Sequence, residues 1–295
     1  MRKAKILSLV LLFGAVLLLP AHQYWPWSRL KAKPQAPPKL SIDRDPETGK
    51  VRVHWTGRGV LKKHSPGDTR FKAVRKRGRK PGIHEIDPTA EQMVFQLQAS
   101  SSVVSANVVG YVNLSLRPGL SLIANALYYT NNALALWLPT APDGAQVYKF
   151  TDGGGFEVST FDAVGGGWSN PDLQIPIGTG FYFNNPSSET FTYTSFGEVL
   201  QGALVNPLPA GISTKGSLVP QAGSINSTHG IPGEPGDEIR LYRNDGQSTA
   251  GYISTFYVSD MTGSSWVPDL VLGVGEGFWI QKQNSQDWVR YFSVN

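Results

Sequence analysis

Residues 177–183 read Ile-Gly-Thr-Gly-Phe-Tyr-Phe, and residues 274–280 read Val-Gly-Glu-Gly-Phe-Trp-Ile. In both, two glycines one residue apart lead into three large apolar residues. A glycine within strand-forming sequence marks a bend or the close approach of another backbone. The residues that follow are aromatic or β-branched, the usual material of strands. Side chains alternate across a strand, so Phe181 and Phe183 share one face and Tyr182 takes the other. Phe278 and Ile280 divide from Trp279 in the same way.

Further landmarks recur in the same order around these two stretches. Arg117-Pro118-Gly119-Leu120-Ser121 returns as Leu208-Pro209-Ala210-Gly211-Ile212-Ser213. Pro142-Asp143-Gly144 with Val147-Tyr148 returns as Pro235-Gly236-Asp237 with Leu241-Tyr242. The run Gly155 to Phe161 returns as Gly251 to Phe256, and Trp168 with Pro171-Asp172-Leu173 returns as Trp266 with Pro268-Asp269-Leu270. Ordered recurrence at a roughly constant offset is the signature of a repeated unit. The expectation is one β module written twice, over residues 99–197 and 198–295, each a sandwich or small barrel of five or six strands. Trp168 and Trp266 hold one structural position and read as core. Asn131 to Trp137 is the nearest approach to helical sequence, and its counterpart, Ala222 to Gly230, reads as loop. The fold class is therefore all-β.

Composition agrees. The 32 Gly and 21 Pro suit many short strands joined by tight turns. The absence of cysteine excludes disulfides, thiolate catalysis and Cys-ligated zinc. The net charge of +5 divides unevenly: residues 1–98 hold 20 Lys/Arg against 7 Asp/Glu, and residues 99–295 hold 7 against 15. A basic whole-chain balance is thus no argument for nucleic-acid binding.

The chain opens with Arg2, Lys3 and Lys5, an apolar run from Ile6 to Leu19, then Pro20-Ala21. This is the layout of a secretory signal over residues 1–21. If uncleaved, Ile6–Leu19 would serve as a membrane anchor. Either outcome exports the remainder to the periplasm, cell surface or medium. Residues 22–39 are Pro-rich and basic and read as a linker.

Residues 40–98 read as a small basic β module. Leu40 and Ile42, a turn at Asp45 to Gly49, and Val51-Arg52-Val53-His54-Trp55 alternate as a hairpin does, and Val94-Phe95-Gln96-Leu97 closes the unit. This order is similar to a degenerate fibronectin-like module of exported Verrucomicrobiota proteins, although Leu61-Lys62-Lys63 departs from that pattern. The resemblance implies a β-sandwich fragment without activity. Residues 108–295 resemble an uncharacterised tandem module of the same exported proteins, through Asn113, Ser121-Leu122-Ile123-Ala124-Asn125 and Gly197-Glu198-Val199-Leu200-Gln201-Gly202. That resemblance implies the tandem architecture and carries no assigned activity.

No catalytic constellation is legible. The five histidines are scattered, and no metalloprotease helix, nucleophile elbow or phosphate loop occurs. Asp162, Asp172, Glu189 and Glu198 offer carboxylates, and Asp143, Asp152 and Asp162 lie in loops that could face calcium, but none forms a recognised set. Neither a cofactor nor a metal is expected. Arg75, Lys76, Arg77, Arg79 and Lys80 could meet an anionic partner; without interleaved aromatics they do not suit nucleic acid. Tyr182, Trp279, Trp288 and Tyr291 could stack sugar rings. Two functions stand: a non-catalytic structural or adhesive envelope protein, contacting polysaccharide or another envelope protein, or a carbohydrate-binding module using exposed aromatics.

Overall fold

The computed structural model describes residues 37–66, 68–74, 82–151, 153–244, 251–261 and 263–294. The signal or anchor segment, nearly all of the linker, and the basic cluster Arg75, Lys76, Arg77, Arg79 and Lys80 lie outside the described residues. With 54% of residues in strands and 2% helical, the fold is all-β.

The N-terminal segment contributes β1 (Leu40–Arg44), β2 (Val51–Trp55), β3 (Val60–His64), β4 (Lys72–Ala73), β5 (Gly82–Ile86) and β6 (Gln92–Gln98). The first half of the remainder forms β7 (Val108–Leu116), β8 (Gly119–Ala124), α1 (Leu134–Trp137), β9 (Gln146–Phe150), β10 (Phe156–Asp162), β11 (Gly167–Trp168), β12 (Gly180–Asn185) and β13 (Phe191–Val199). The second half forms β14 (Gly202–Leu208), β15 (Gly211–Gly216), β16 (Gly223–Ser224), β17 (Glu238–Arg243), β18 (Gly251–Asp260), β19 (Gly263–Val267), β20 (Val271–Leu272), β21 (Gly277–Lys282) and β22 (Gln286–Phe292). The one-turn helix falls where Asn131 to Trp137 suggested it.

Each half builds a five-stranded antiparallel sheet, in the orders β11-β10-β9-β12-β8 and β19-β18-β17-β21-β15. Numbered from the start of each half, with the two-residue strands β16 and β20 of the second half set aside, the two orders are the same. Of the two alternating sets, Phe181, Phe183, Phe278 and Ile280 face inward and are all fully buried. Burying a side chain of this size is worth roughly 1.5–3 kcal/mol. In the first half they pack under the ribbon β7–β13, with Leu114, Leu116, Trp137 and Tyr193. In the second, β14–β22 supplies the lid, through Leu208 and Trp288. Trp168 and Trp266 are both buried, and each indole N–H donates to a backbone carbonyl, of Leu138 at 2.6 Å and of Ile231 at 2.8 Å.

Two expectations need correction. The boundary at residue 98 does not separate two units. β6 pairs with β7, so the N-terminal strands extend the first half's ribbon into the sheet β13-β7-β6-β3-β4. The small sheet β1-β2-β5 closes over its outward face, around Val53, Phe95, Val109 and Tyr111. The Asn107 side chain joins the segments, accepting from the Leu40 N–H and donating to its carbonyl, both at 2.9 Å. Residues 40–98 are a β unit, but one that shares its core with the first half.

The second correction is a one-residue slip. Tyr257, not Phe256, is the counterpart of Phe161. Phe161 pairs with Trp168 and Tyr257 with Trp266, and their rings meet at 5.2 and 5.3 Å. Phe256 faces outward and is half-exposed. A slip of one position moves a side chain to the other face of the sheet.

Candidate functional site: an aromatic cleft

The two five-stranded sheets meet by their outward faces, and the Gly-x-Gly stretches make the meeting possible. Thr179 bridges Lys215, and Ile123 bridges Glu276. The Gly216 N–H donates to the Gly178 carbonyl at 2.9 Å, and the Ala124 N–H to the Gly275 carbonyl at 2.8 Å. The Thr214 hydroxyl donates to the Gly180 carbonyl at 2.7 Å. A Cβ on Gly180 would lie 2.7 Å from the Lys215 carbonyl oxygen, and one on Gly277 would lie 2.7 Å from that of Ile123. Each half thus presents its glycine pair to the backbone of the other. The contact is reciprocal, as between two subunits about a two-fold axis.

Beside this seam the outward aromatic side chains of both sheets converge. Tyr148 and Tyr182 stand opposite each other on β9 and β12, and Tyr242 and Tyr252 on β17 and β18. Phe156 on β10 and Trp279 on β21 complete the cluster, with Leu120 and Asn184 on its margin. Together they line a cleft of about 380 Å³. Two pairs of wall residues hold corresponding positions, Phe156 with Tyr252 and Tyr182 with Trp279. The register places Arg240, not Tyr242, at the position of Tyr148, and Phe150 at that of Tyr242, a two-residue correction to the landmark read from the sequence.

Tyr182 forms the floor. It is 6% exposed, whereas Phe156 and Tyr252 on the rim are 46% and 53% exposed. The Trp279 indole N–H donates to the Tyr182 hydroxyl at 2.6 Å, and that hydroxyl shares a hydrogen bond with the Tyr252 hydroxyl. Burial, reinforced by the Tyr252 contact, holds the Tyr182 phenol well above the ordinary tyrosine range. The rings meet edge to face, Tyr242 with Tyr252 at 5.2 Å and Tyr182 with Tyr242 at 5.9 Å. Phe150 supports Trp279 from behind at 4.8 Å. Such packing fixes ring orientation and leaves the rim rings open on one side.

The cleft offers apolar ring surface edged by phenol hydroxyls and the Asn184 amide. No Asp, Glu or His is among its described lining residues. Three of the carboxylates singled out in the sequence are engaged elsewhere, and Asp152 lies outside the described residues. Asp162 accepts from the N–H groups of Val164 and Gly165 in its own hairpin, Asp143 from Ala163, and Glu198 from the Asn107 amide. Among the described residues no group of three or more His, Asp or Glu is placed to hold a metal ion.

The four aromatic candidates go to three different places. Tyr182 and Trp279 meet in the cleft. Trp288 is a correction: it is 1% exposed, its indole N–H donates to the His229 carbonyl at 2.7 Å, and it offers no ring face to a ligand. Its position across from Asn206 on the lid ribbon points it into the core. Tyr291 is 85% exposed, on the outward face of β22. Sequence reasoning missed Tyr148, Phe156, Tyr242 and Tyr252. The signal was present, since Tyr148 and Tyr242 each follow a buried residue, Val147 and Leu241, and so point outward.

Comparison of the chain with family models, with curated proteins and with solved structures finds no match.

Proposed function

We propose that this chain is an exported, non-catalytic binding protein that holds carbohydrate in the cleft between its two halves. The observation that carries the reading is the convergence of six aromatic side chains, three from each sheet, on one cleft edged by hydroxyl and amide groups. Sugar rings have apolar C–H faces and hydroxyl rims. A site for them needs aromatic surface together with a few placed hydrogen-bonding groups, in a concavity of a few hundred cubic ångströms. The lining supplies both, and no Asp, Glu or His is among its described residues, which favours binding over hydrolysis.

The proposal includes the history and setting of the molecule. The two halves are copies of one module, a reading supported by their corresponding strand orders and by the reciprocal bridges of the seam. The basic, apolar start of the chain supports export, and the likeness to exported Verrucomicrobiota modules points the same way. An exported protein with a rigid sugar cleft serves adhesion to envelope or extracellular polysaccharide.

A glycan array tests this. The folded chain binds a defined class of neutral or weakly charged oligosaccharide, and Phe156→Ala and Tyr252→Ala, both at half-exposed positions, weaken the signal together. Absence of binding across the array, or binding indifferent to both substitutions, rejects the proposal.

A further inference from the structure

Lys282 ends β21, and Asp237 stands directly before β17. The two strands pair with Glu238 opposite Gln281, so the register continued by one residue sets Asp237 opposite Lys282. Both lie on the inward face that carries Ile239 and Ile280. The Lys282 Nζ meets the Asp237 Oδ2, and both side chains are wholly buried. In the first half, the register of β9 and β12 continued in the same way sets Ala145 opposite Asn185, both buried. The fold closes this place in the first half with an uncharged pair, and in the second with an amine and a carboxyl group. Taking two charges out of water is costly, and uncharged residues of similar volume often serve a core as well or better. The surroundings hold the two groups for reaction. The Gln283 N–H donates to the Asp237 Oδ1 at 2.7 Å, and the Glu234 N–H to Oδ2 at 2.8 Å. The Lys282 Nζ donates to that Oδ2, to the Gln286 Oε1 at 2.6 Å and to the Pro232 carbonyl at 3.5 Å. The amine is thus fixed against the carboxyl group, which removes the entropic cost of bringing the two together. The Gln283 N–H stands on the oxygen that gathers charge when the carboxyl carbon is attacked, as a donor of an oxyanion hole does.

We infer that Lys282 and Asp237 condense after folding into a side-chain amide that joins β21 to the start of β17. A proton passes from the Lys282 ammonium to the Asp237 Oδ2 and leaves an amine and a carboxylic acid, the uncharged form that a dry site favours. The Nζ lone pair attacks Cγ and forms the N–C bond, and charge gathers on Oδ1 under the Gln283 N–H. The Cγ–Oδ2 bond then breaks. Oδ2 leaves as water, carrying its own proton and one from Nζ. The product keeps Oδ1 as its carbonyl oxygen and one N–H, which the Gln286 Oε1 accepts. No other reactant enters, and no charge of the pair remains in the core.

Mass spectrometry of the purified full chain, read intact and after proteolysis, tests this. The chain is expected to be lighter by one water than its sequence. Its digest is expected to contain a branched peptide in which the segment carrying Lys282 is joined to the segment carrying Asp237. The double variant Asp237→Ala with Lys282→Asn, which copies the first-half pair, is expected at its full sequence mass. So is Lys282→Arg, which keeps the charge and lacks the nucleophilic amine. A wild-type chain at full sequence mass, with the two segments recovered as separate peptides, overturns the inference and leaves an ordinary buried ion pair. A water loss that maps only to other residues, or one that persists in Lys282→Arg, overturns it as well. The wild-type measurement decides the matter even where a variant fails to fold.

Discussion

Trp279 of the second half donates its indole N–H to the phenol oxygen of Tyr182 in the first, at 2.6 Å. These are the corresponding residues of the two Gly-x-Gly strands, so each half contributes the same structural position to one bond. The bond stands at the base of the cleft and ties its two walls together. Tyr182→Phe removes the acceptor and leaves the indole N–H without this partner. The expected cost is about 1–2 kcal/mol, read from the denaturant midpoint at unchanged slope. Tyr252, a half-exposed residue, can turn its hydroxyl to water.

The seam itself depends on glycine. Gly180→Ala and Gly277→Ala each drive a methyl into the backbone of the opposite half, at positions where 2.7 Å separates the new Cβ from a carbonyl oxygen. Each is expected to lower stability by about 1–3 kcal/mol. Gly153→Ala, where a Cβ meets nothing within 4 Å, is the control and should be close to neutral. Thermal denaturation of the three variants measures the difference.

Trp288 and Tyr291 lie three residues apart on one strand and should behave in opposite ways. Trp288→Ala empties a core position between Phe278 and His229 and should cost about 3–5 kcal/mol. Tyr291→Ala removes a ring that is 85% exposed and should stay within about 0.5 kcal/mol. Chemical denaturation separates these outcomes readily.

His229 makes the protein acid-sensitive. Burial, with the Arg290 guanidinium beside it, pushes its pKa down from 6.5 to about 4. The folded state therefore binds fewer protons than the unfolded state between these values. Stability is full above about pH 6.5, falls as the pH drops toward 4, and loses nothing further from this group below that. The loss amounts to about 3 kcal/mol. His229→Gln should flatten this part of the stability profile, measured by urea denaturation between pH 7 and pH 4.

The strand content and the core were legible in the sequence because alternation and turn chemistry are local. The recurring tryptophans, Trp168 and Trp266, could be placed inside from recurrence alone, and Phe181 and Phe183, like Phe278 and Ile280, could be set on one strand face from period alone. The glycine pairs announced a close backbone approach, but not that the approaching backbone belongs to the other half, since that partner is fixed only by tertiary packing. The same limit explains Trp288. An aromatic residue near the chain end reads as available until the lid ribbon turns it inward. The union of β6 with β7 was hidden for a related reason: an antiparallel pairing across the 99–107 connection leaves no mark in the sequence at the boundary it crosses.

The account rests on the cleft being a place where sugar rings bind. Isothermal titration calorimetry of an oligosaccharide identified on the array, against wild type and Tyr252→Ala, addresses this directly. One site per chain is expected, with an affinity about tenfold lower in the variant, the equivalent of about 1.4 kcal/mol for the lost ring. Equal affinities in the two proteins would contradict it.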